Sequence, residues 1–145
     1  MTTDGEGPHN LLYKSGVDWL WVDGSSQLFE TYGEYPAGSG TFRINSVADL
    51  DGNTLTYSYL GSTDKLDIVT TADGAYMQYV WVGNNIEHIT TVAGGGPSTR
   101  AHYSYYQSNR LIKVTTELSL NSNQIADGNL YEVSVVRTFG TDLRL

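Results

Sequence analysis

The feature that most constrains this 145-residue chain is a five-residue run that recurs four times. It consists of a basic or amide residue, a branched apolar residue, two variable positions and a second branched apolar residue. The copies are Arg43-Ile44-Asn45-Ser46-Val47, Lys65-Leu66-Asp67-Ile68-Val69, Asn85-Ile86-Glu87-His88-Ile89 and Arg110-Leu111-Ile112-Lys113-Val114. Ile44 to Leu66 is 22 residues, Leu66 to Ile86 is 20 and Ile86 to Leu111 is 25. Intervals of this size belong to repeat architectures. Between the runs lie alternating segments, Leu55-x-Tyr57-x-Tyr59, Met77-x-Tyr79-x-Trp81 and Ala101-x-Tyr103-x-Tyr105. Two of them follow a turn, Asp51-Gly52-Asn53 or Asp73-Gly74. Alternation at every second residue is a strand signature, because successive side chains leave opposite faces of a sheet. Tyr, Trp, Val, Ile and Thr suit such a surface. Each copy therefore reads as turn, aromatic strand, turn, aliphatic strand. The pattern predicts an all-β fold of about ten to twelve short strands, antiparallel hairpins forming a continuous twisted sheet or ribbon with almost no helix.

The flanks carry weaker copies. Residues 1–8 read as a loose lead-in, and 9–42 as a degenerate first unit. In that unit Leu11, Leu12 and Tyr13 form a short strand, Trp19-x-Trp21 stands at the aromatic place, Asp23-Gly24 makes the turn, and Gln27-Leu28 opens the aliphatic place. Residues 33–40 hold three Gly and a Pro, which punctuate too densely for a strand and predict a loop. Gly94-Gly95-Gly96-Pro97 is a second loop; a phosphate cradle would need a helix to follow, and an alternating segment follows instead. Residues 43–145 hold the repeats, with a polar insertion at 119–126, an Asp127-Gly128-Asn129 turn, alternating Tyr131, Val133 and Val135, and a truncated last copy. The whole chain is expected to be one β-repeat segment, cut from something longer.

Composition narrows the function. Eight Lys and Arg stand against 16 Asp and Glu, a formal charge of −8. The basic residues are scattered singly, which argues against nucleic acid and against an anionic membrane surface. No apolar run is long enough to span a bilayer, so no membrane insertion is expected, and the N-terminus lacks the form of a signal peptide. Without Cys there is no thiolate chemistry. Eleven Tyr and three Trp against three Phe favour aromatics that keep a polar edge near water.

Candidate chemistry is sparse. Asp49, Asp51 and Asn53 around Gly52 resemble the opening of a calcium loop, but the late bidentate Glu is replaced by Leu60, and a hairpin turn explains the same residues. Glu30 and Glu34 could be imagined as a glycosidase pair, yet surface carboxylates are common in this chain. His9, His88 and His102 lack zinc-site spacing, and His88 and His102 fall within strands, where they are expected to alternate to a wet face. No Gly-x-Ser-x-Gly elbow is present, and no catalytic residue or cofactor is expected. The aromatic rows carry the one ligand-binding reading: Trp19, Trp21, Trp81, Tyr103 and Tyr105 offer flat faces to sugar rings, as an adhesin would. The competing reading is that aromatic ladders stabilise neighbouring strands, each cross-strand pair contributing about 0.2–1 kcal/mol.

The repeats resemble the RHS or YD-repeat proteins of bacterial surfaces and secreted toxins, whose unit runs aromatic-x-aromatic-Asp, Gly or Asn, Arg-Leu, two residues, Val or Ile, then Asp-Gly. Tyr57 and Tyr59 lead to Lys65-Leu66, Val69 and Asp73-Gly74; Tyr79 and Trp81 lead to Asn85-Ile86 and Ile89; Tyr103 and Tyr105 lead to Asn109-Arg110-Leu111 and Val114. The Asp after the aromatic pair is replaced by Leu60, Val82 and Tyr106, and the third copy has no Asp-Gly before its aromatic strand. The resemblance implies a piece of a large secreted or surface-exposed bacterial protein, extracellular, in which such repeats form a β-ribbon that builds a stalk or a toxin-enclosing shell. Its partners would be neighbouring repeats or another copy, met through edge strands, with glycan as the alternative partner.

Overall fold

The computed structural model describes residues 9–93, 99–106 and 110–117, and the backbone of 130–133. The Gly94 to Pro97 loop, the 119–126 insertion, the Asp127-Gly128-Asn129 turn, Asn109, Val135 and the last partial copy lie outside the described residues. The described chain is all-β and antiparallel, with eleven strands and no helix among the described residues. Contacts divide it into two compact units, residues 1–76 and 77–145. The first holds β1 (Leu11–Ser15), β2 (Asp18–Val22), β3 (Phe29–Glu34), β4 (Phe42–Ala48), β5 (Thr54–Tyr59) and β6 (Leu66–Thr71). The second holds β7 (Tyr76–Val82, which begins at the boundary), β8 (Asn85–Val92), β9 (Thr99–Tyr106), β10 (Arg110–Glu117) and β11 (Leu130–Val133). Within each unit the strands lie in sequence order, a meander in which each strand pairs with its sequence neighbours.

The five-residue run has a structural counterpart that its spacing already contains. Its two apolar positions are three residues apart, which on a regular strand puts them on opposite faces. The structure resolves this with a β-bulge, one extra residue on the bulged strand that returns both to the same face. On β6, Leu66 faces Tyr59 and Val69 faces Tyr57, with Asp67 as the extra residue. On β10, Leu111 faces Tyr105 and Val114 faces Tyr103, with Ile112 extra. On β4, Ile44 faces Tyr32 and Val47 faces Glu30, with Asn45 extra. The bulge falls on the third residue of the run in all three pairs. On β6 and β10 an aromatic-x-aromatic strand is thereby matched, three residues against four, to apolar-x-x-apolar, and on β4 the partner is Glu30-x-Tyr32.

That register shifts the phase of the first unit. The strand at the Gln27-Leu28 place begins at Phe29 and serves β4 as its aromatic partner through Tyr32. Trp19 and Trp21 belong to a preceding, unbulged pairing, with Trp19 opposite Tyr32 and Trp21 opposite Glu30. The loop predicted at 33–40 is also shorter, because Gly33 and Glu34 complete β3 and pair with Arg43 and Phe42. Gly33 suits that place: a Cβ would overlap the carboxamide of the bulged Asn45, whose side chain would have to shift to admit it. Composition pointed to a breaker, whereas close approach of a neighbouring side chain is what calls for the glycine.

The turns explain the recurrent Asp and Gly. Gly52 and Gly74 take φ of +85° and +86°, a region open to glycine at little cost. Asp49 accepts from the Asp51 and Asn53 amides at 3.0 and 2.9 Å and from Asn53 Nδ2 at 2.7 Å. Asp23 accepts from the Ser25 amide and hydroxyl at 2.8 and 2.7 Å. Asp73 accepts from the Thr71 hydroxyl and from the Ala75 amide at 3.2 Å. Because strands alternate in direction, these three turns fall at the same end of the first unit. At the other end Arg43 sits 5.2 Å from the Tyr35 ring centroid and 5.3 Å from that of Tyr59, and donates to the Thr63 carbonyl. Tyr59 donates to the Ile44 carbonyl at 2.9 Å.

The described residues have no dry interior. No side chain among them is fully buried, and β2, β4 and β6 are half-buried along their whole length. Sheet stability here rests on ladder hydrogen bonds and cross-strand pairs.

Candidate functional site

Three places bring chemistry-bearing side chains together. The first is an aromatic patch on β1 to β4. Cross-strand register sets Leu12 opposite Trp21 and Trp19 opposite Tyr32, and the alternation of β2 puts both Trp rings on one face. Trp19 meets Phe42 edge to face, with centroids 6.4 Å apart. Leu12, Trp19, Trp21, Tyr32 and Phe42 line a shallow cleft of about 330 Å³. The polar handle in the cleft is already engaged, since the Tyr32 hydroxyl donates to Glu30. That bond, aided by burial, pushes the phenol up to about 12. The patch can therefore stack flat or apolar groups, and it brings no activated nucleophile or base to them.

The second place takes in Tyr103 and Tyr105 on β9, which with Val82, Asn85, Ile86 and Glu87 line a depression of about 280 Å³. Burial, then the neighbouring Tyr103, raises the Tyr105 phenol above its ordinary value. Trp81 is half-buried on β7 and does not line either of these two clefts. The five aromatics singled out in the sequence thus separate into a Trp pair on the first unit, a Tyr pair on the second, and Trp81.

The third place was not foreseen as a cluster. His88 on β8 and His102 on β9 are direct cross-strand partners, and their rings stand 5.4 Å apart. One step along, Thr90, Arg100 and Glu117 form a row across β8, β9 and β10. Arg100 donates to Thr90 Oγ1 at 3.3 Å and stands 3.9 Å from Glu117 Oε2. His102 Nε2 lies 3.3 Å from the same oxygen. Thr90 and Glu117 are the most buried polar residues described, at 3% and 8% exposure. Both imidazoles are partly covered, His88 more than His102, rather than standing on a fully wet face. Burial first, then Arg100 and His102, lowers the His88 pKa below its ordinary value. Strand alternation puts His88 and Thr90 on one face of β8, and the register with β9 sets them opposite His102 and Arg100.

Of the remaining candidates, Asp49 and Asn53 meet Asp73 and the apolar Leu28, Val47 and Leu55 around a depression of about 470 Å³ on the first unit. Asp49 spends both carboxylate oxygens on donors of its own turn, and among the described residues no group of three or more His, Asp or Glu is arranged to hold a metal ion. Glu30 and Glu34 lie four residues apart on one strand, about 13 Å along it. That exceeds the roughly 5–9.5 Å that glycosidase pairs use. Glu34 also accepts from the Gly40 amide at 2.6 Å, and backbone bonds from Gly38 and Gly40 hold its pKa low. Comparison with family models, with curated proteins and with solved structures finds no match.

Proposed function

We propose that this chain is a structural repeat segment of RHS or YD type, a β-ribbon scaffold, stalk or shell piece of a large secreted or surface-exposed bacterial protein, with no catalytic role of its own. The observation that carries this reading is the bulge that recurs at the third residue of the run on β4, β6 and β10. A motif repeated in sequence and repeated in register is a building unit, and its conspicuous residues are accounted for by strand pairing. A binding or catalytic site would instead leave unpaired residues outside the repeat. Such a scaffold extends by adding strands. Among the described residues β1 hydrogen-bonds one neighbour, β2, and Leu11, Leu12 and Tyr13 on it are 50%, 58% and 46% exposed. An edge of this kind recruits further strands, from adjoining repeats or from another copy. Light scattering over a concentration series tests this: the scaffold reading expects self-association, and a strict monomer at high concentration counts against it.

The Trp19 and Trp21 cleft supports a second reading, a glycan-binding adhesin module. A glycan array with Trp19→Ala and Trp21→Ala as controls separates the two. On the scaffold reading both substitutions lower the melting temperature and the array is blank. A sugar that binds the parent, and not variants of unchanged melting temperature, would replace the scaffold reading with the adhesin one.

A further inference from the structure

The polar row across β8, β9 and β10 is not explained by the repeat, since the matching positions of the first unit are not ionisable in the same way. Ser46 pairs with Thr56 at the place of the two histidines, and Ala48 with Thr54 at the place of Thr90 and Arg100. We propose that this row is an acid-sensitive latch: with His88 neutral, Arg100 bridges Thr90 of β8 and Glu117 of β10, and protonation of His88 sets a second cation beside Arg100 and loosens β8 from β9.

The geometry places the charges. From β8 come His88 and the exposed Glu87, whose carboxylate is 3.6 Å from His88 Nδ1. From β9 come Arg100 and His102, two residues apart and therefore on one face. From β10 comes Glu117, with Lys113 on the same face four residues away, and Glu132 of β11 holds the register position opposite Thr115. β7 carries no Asp, Glu, Lys, Arg or His. The His pair sits in direct register, so an imidazolium at His88 would face the His102 ring 5.4 Å away, on the face that carries the Arg100 guanidinium. Glu117 stands within hydrogen-bonding reach of His102 and near Arg100, and Glu87 is half exposed, so its attraction for His88 is weakened by water. Histidine is the side chain that changes charge in this range of pH.

The sign follows from the environment of His88. Its folded pKa lies below the ordinary value, so the folded seam prefers the neutral ring. The associated stability is fully present above the unfolded pKa of about 6.5 and is lost as pH falls through that value toward the folded one. The first unit supplies an internal reference, because β1 to β6 contain no histidine.

The test is amide hydrogen exchange on the whole chain at about pH 7.5 and about pH 5.5, corrected for the intrinsic pH dependence of exchange. The latch predicts that protection of β8 and β9 amides falls at least about threefold while β3 and β4 stay level, and that His88→Gln removes most of the fall. An equal fall in both units, or a fall that survives His88→Gln, overturns it. A titration of the His88 ring by NMR needs no variant. Its midpoint must lie below that of an exposed histidine and coincide with the loss of protection, and a midpoint at the ordinary value overturns the latch as well.

Discussion

Deleting Asp67 should be tolerated, although it shortens a strand by one residue. The bulge on β6 exists because one residue is extra, and with Asp67 absorbed there Leu66 lies opposite Tyr59 and Val69 opposite Tyr57. Removing Asp67 leaves Leu66 and Val69 two residues apart, so a regular ladder keeps both on one face and opposite the same partners. A strand in which Asp67 was an ordinary paired residue would instead turn Leu66 to the opposite face, since a one-residue slip exchanges the faces of a strand. Leu66 is half-buried. Full burial of such a side chain contributes about 1.5–3 kcal/mol, so half of it amounts to roughly 1 kcal/mol. The lost Tyr59 pairing would add about 0.2–1 kcal/mol. The hairpin-closing bond from the Leu60 amide to the Lys65 carbonyl, 2.9 Å, would add about 1 kcal/mol if it could not re-form. A turned Leu66 would therefore cost about 2–3 kcal/mol, a large fraction of a typical domain stability of about 5–15 kcal/mol. With its partners kept, the deletion should cost less than about 1 kcal/mol, and Asp67→Ala should stay within about 0.5 kcal/mol. Urea unfolding followed by tryptophan fluorescence measures both. A loss of about 2–3 kcal/mol on deletion would show that Asp67 is not the extra residue of the bulge.

Three further outcomes follow from particular contacts. Gly33→Ala should cost about 1 kcal/mol, because its Cβ meets the Asn45 carboxamide, and Asn45→Ser should relieve most of that cost in the double variant; additive losses in thermal melts would refute the contact. Tyr59→Phe should cost about 1 kcal/mol through its lost bond to the Ile44 carbonyl, and no change in urea stability would refute that bond. In acid, hydrogen bonds from Ser25, from Asn53 and from Thr71 keep the Asp23, Asp49 and Asp73 carboxylates below their ordinary 3.8, Asp23 at about 2. Depressed folded values mean that the turn bonds are in full force above about pH 4 and are lost as pH falls, for Asp23 through about 2. The amide shifts of Ser25, Asn53 and Ala75 should each titrate below 3.8, and midpoints at 3.8 would refute it.

Much of this fold was legible in residue pattern because strand alternation and turn chemistry are local. Tyr57-x-Tyr59 and Tyr79-x-Trp81 announced β5 and β7, and Asp51-Gly52 and Asp73-Gly74 announced the turns before them. The bulges were legible too, in principle. Leu66 and Val69 cannot both face an aromatic-x-aromatic strand unless one residue between them is extra, and that deduction needs the two strands considered together. The phase of the first pairing was hidden, because Trp19-x-Trp21 resembles an aromatic strand of the repeat while the true partner of β4 is Glu30-x-Tyr32. The histidine pair was hidden for a different reason. Its formation depends on the register between β8 and β9, which the alternation within either strand leaves open.

The sequential order of the strands has a kinetic consequence. Within each unit every described pairing joins strands adjacent in the chain, and several connections span only a few residues. Closing short loops costs little entropy, and folding rates fall as the sequence separation of contacts grows. Sandwiches and barrels are slow because distant strands must find each other before either gains from the meeting. A meander of bulged hairpins avoids that search: each new strand docks on the one just formed. The units of this chain should therefore fold faster than all-β proteins of the same length that close on themselves, growing outward from whichever hairpin forms first.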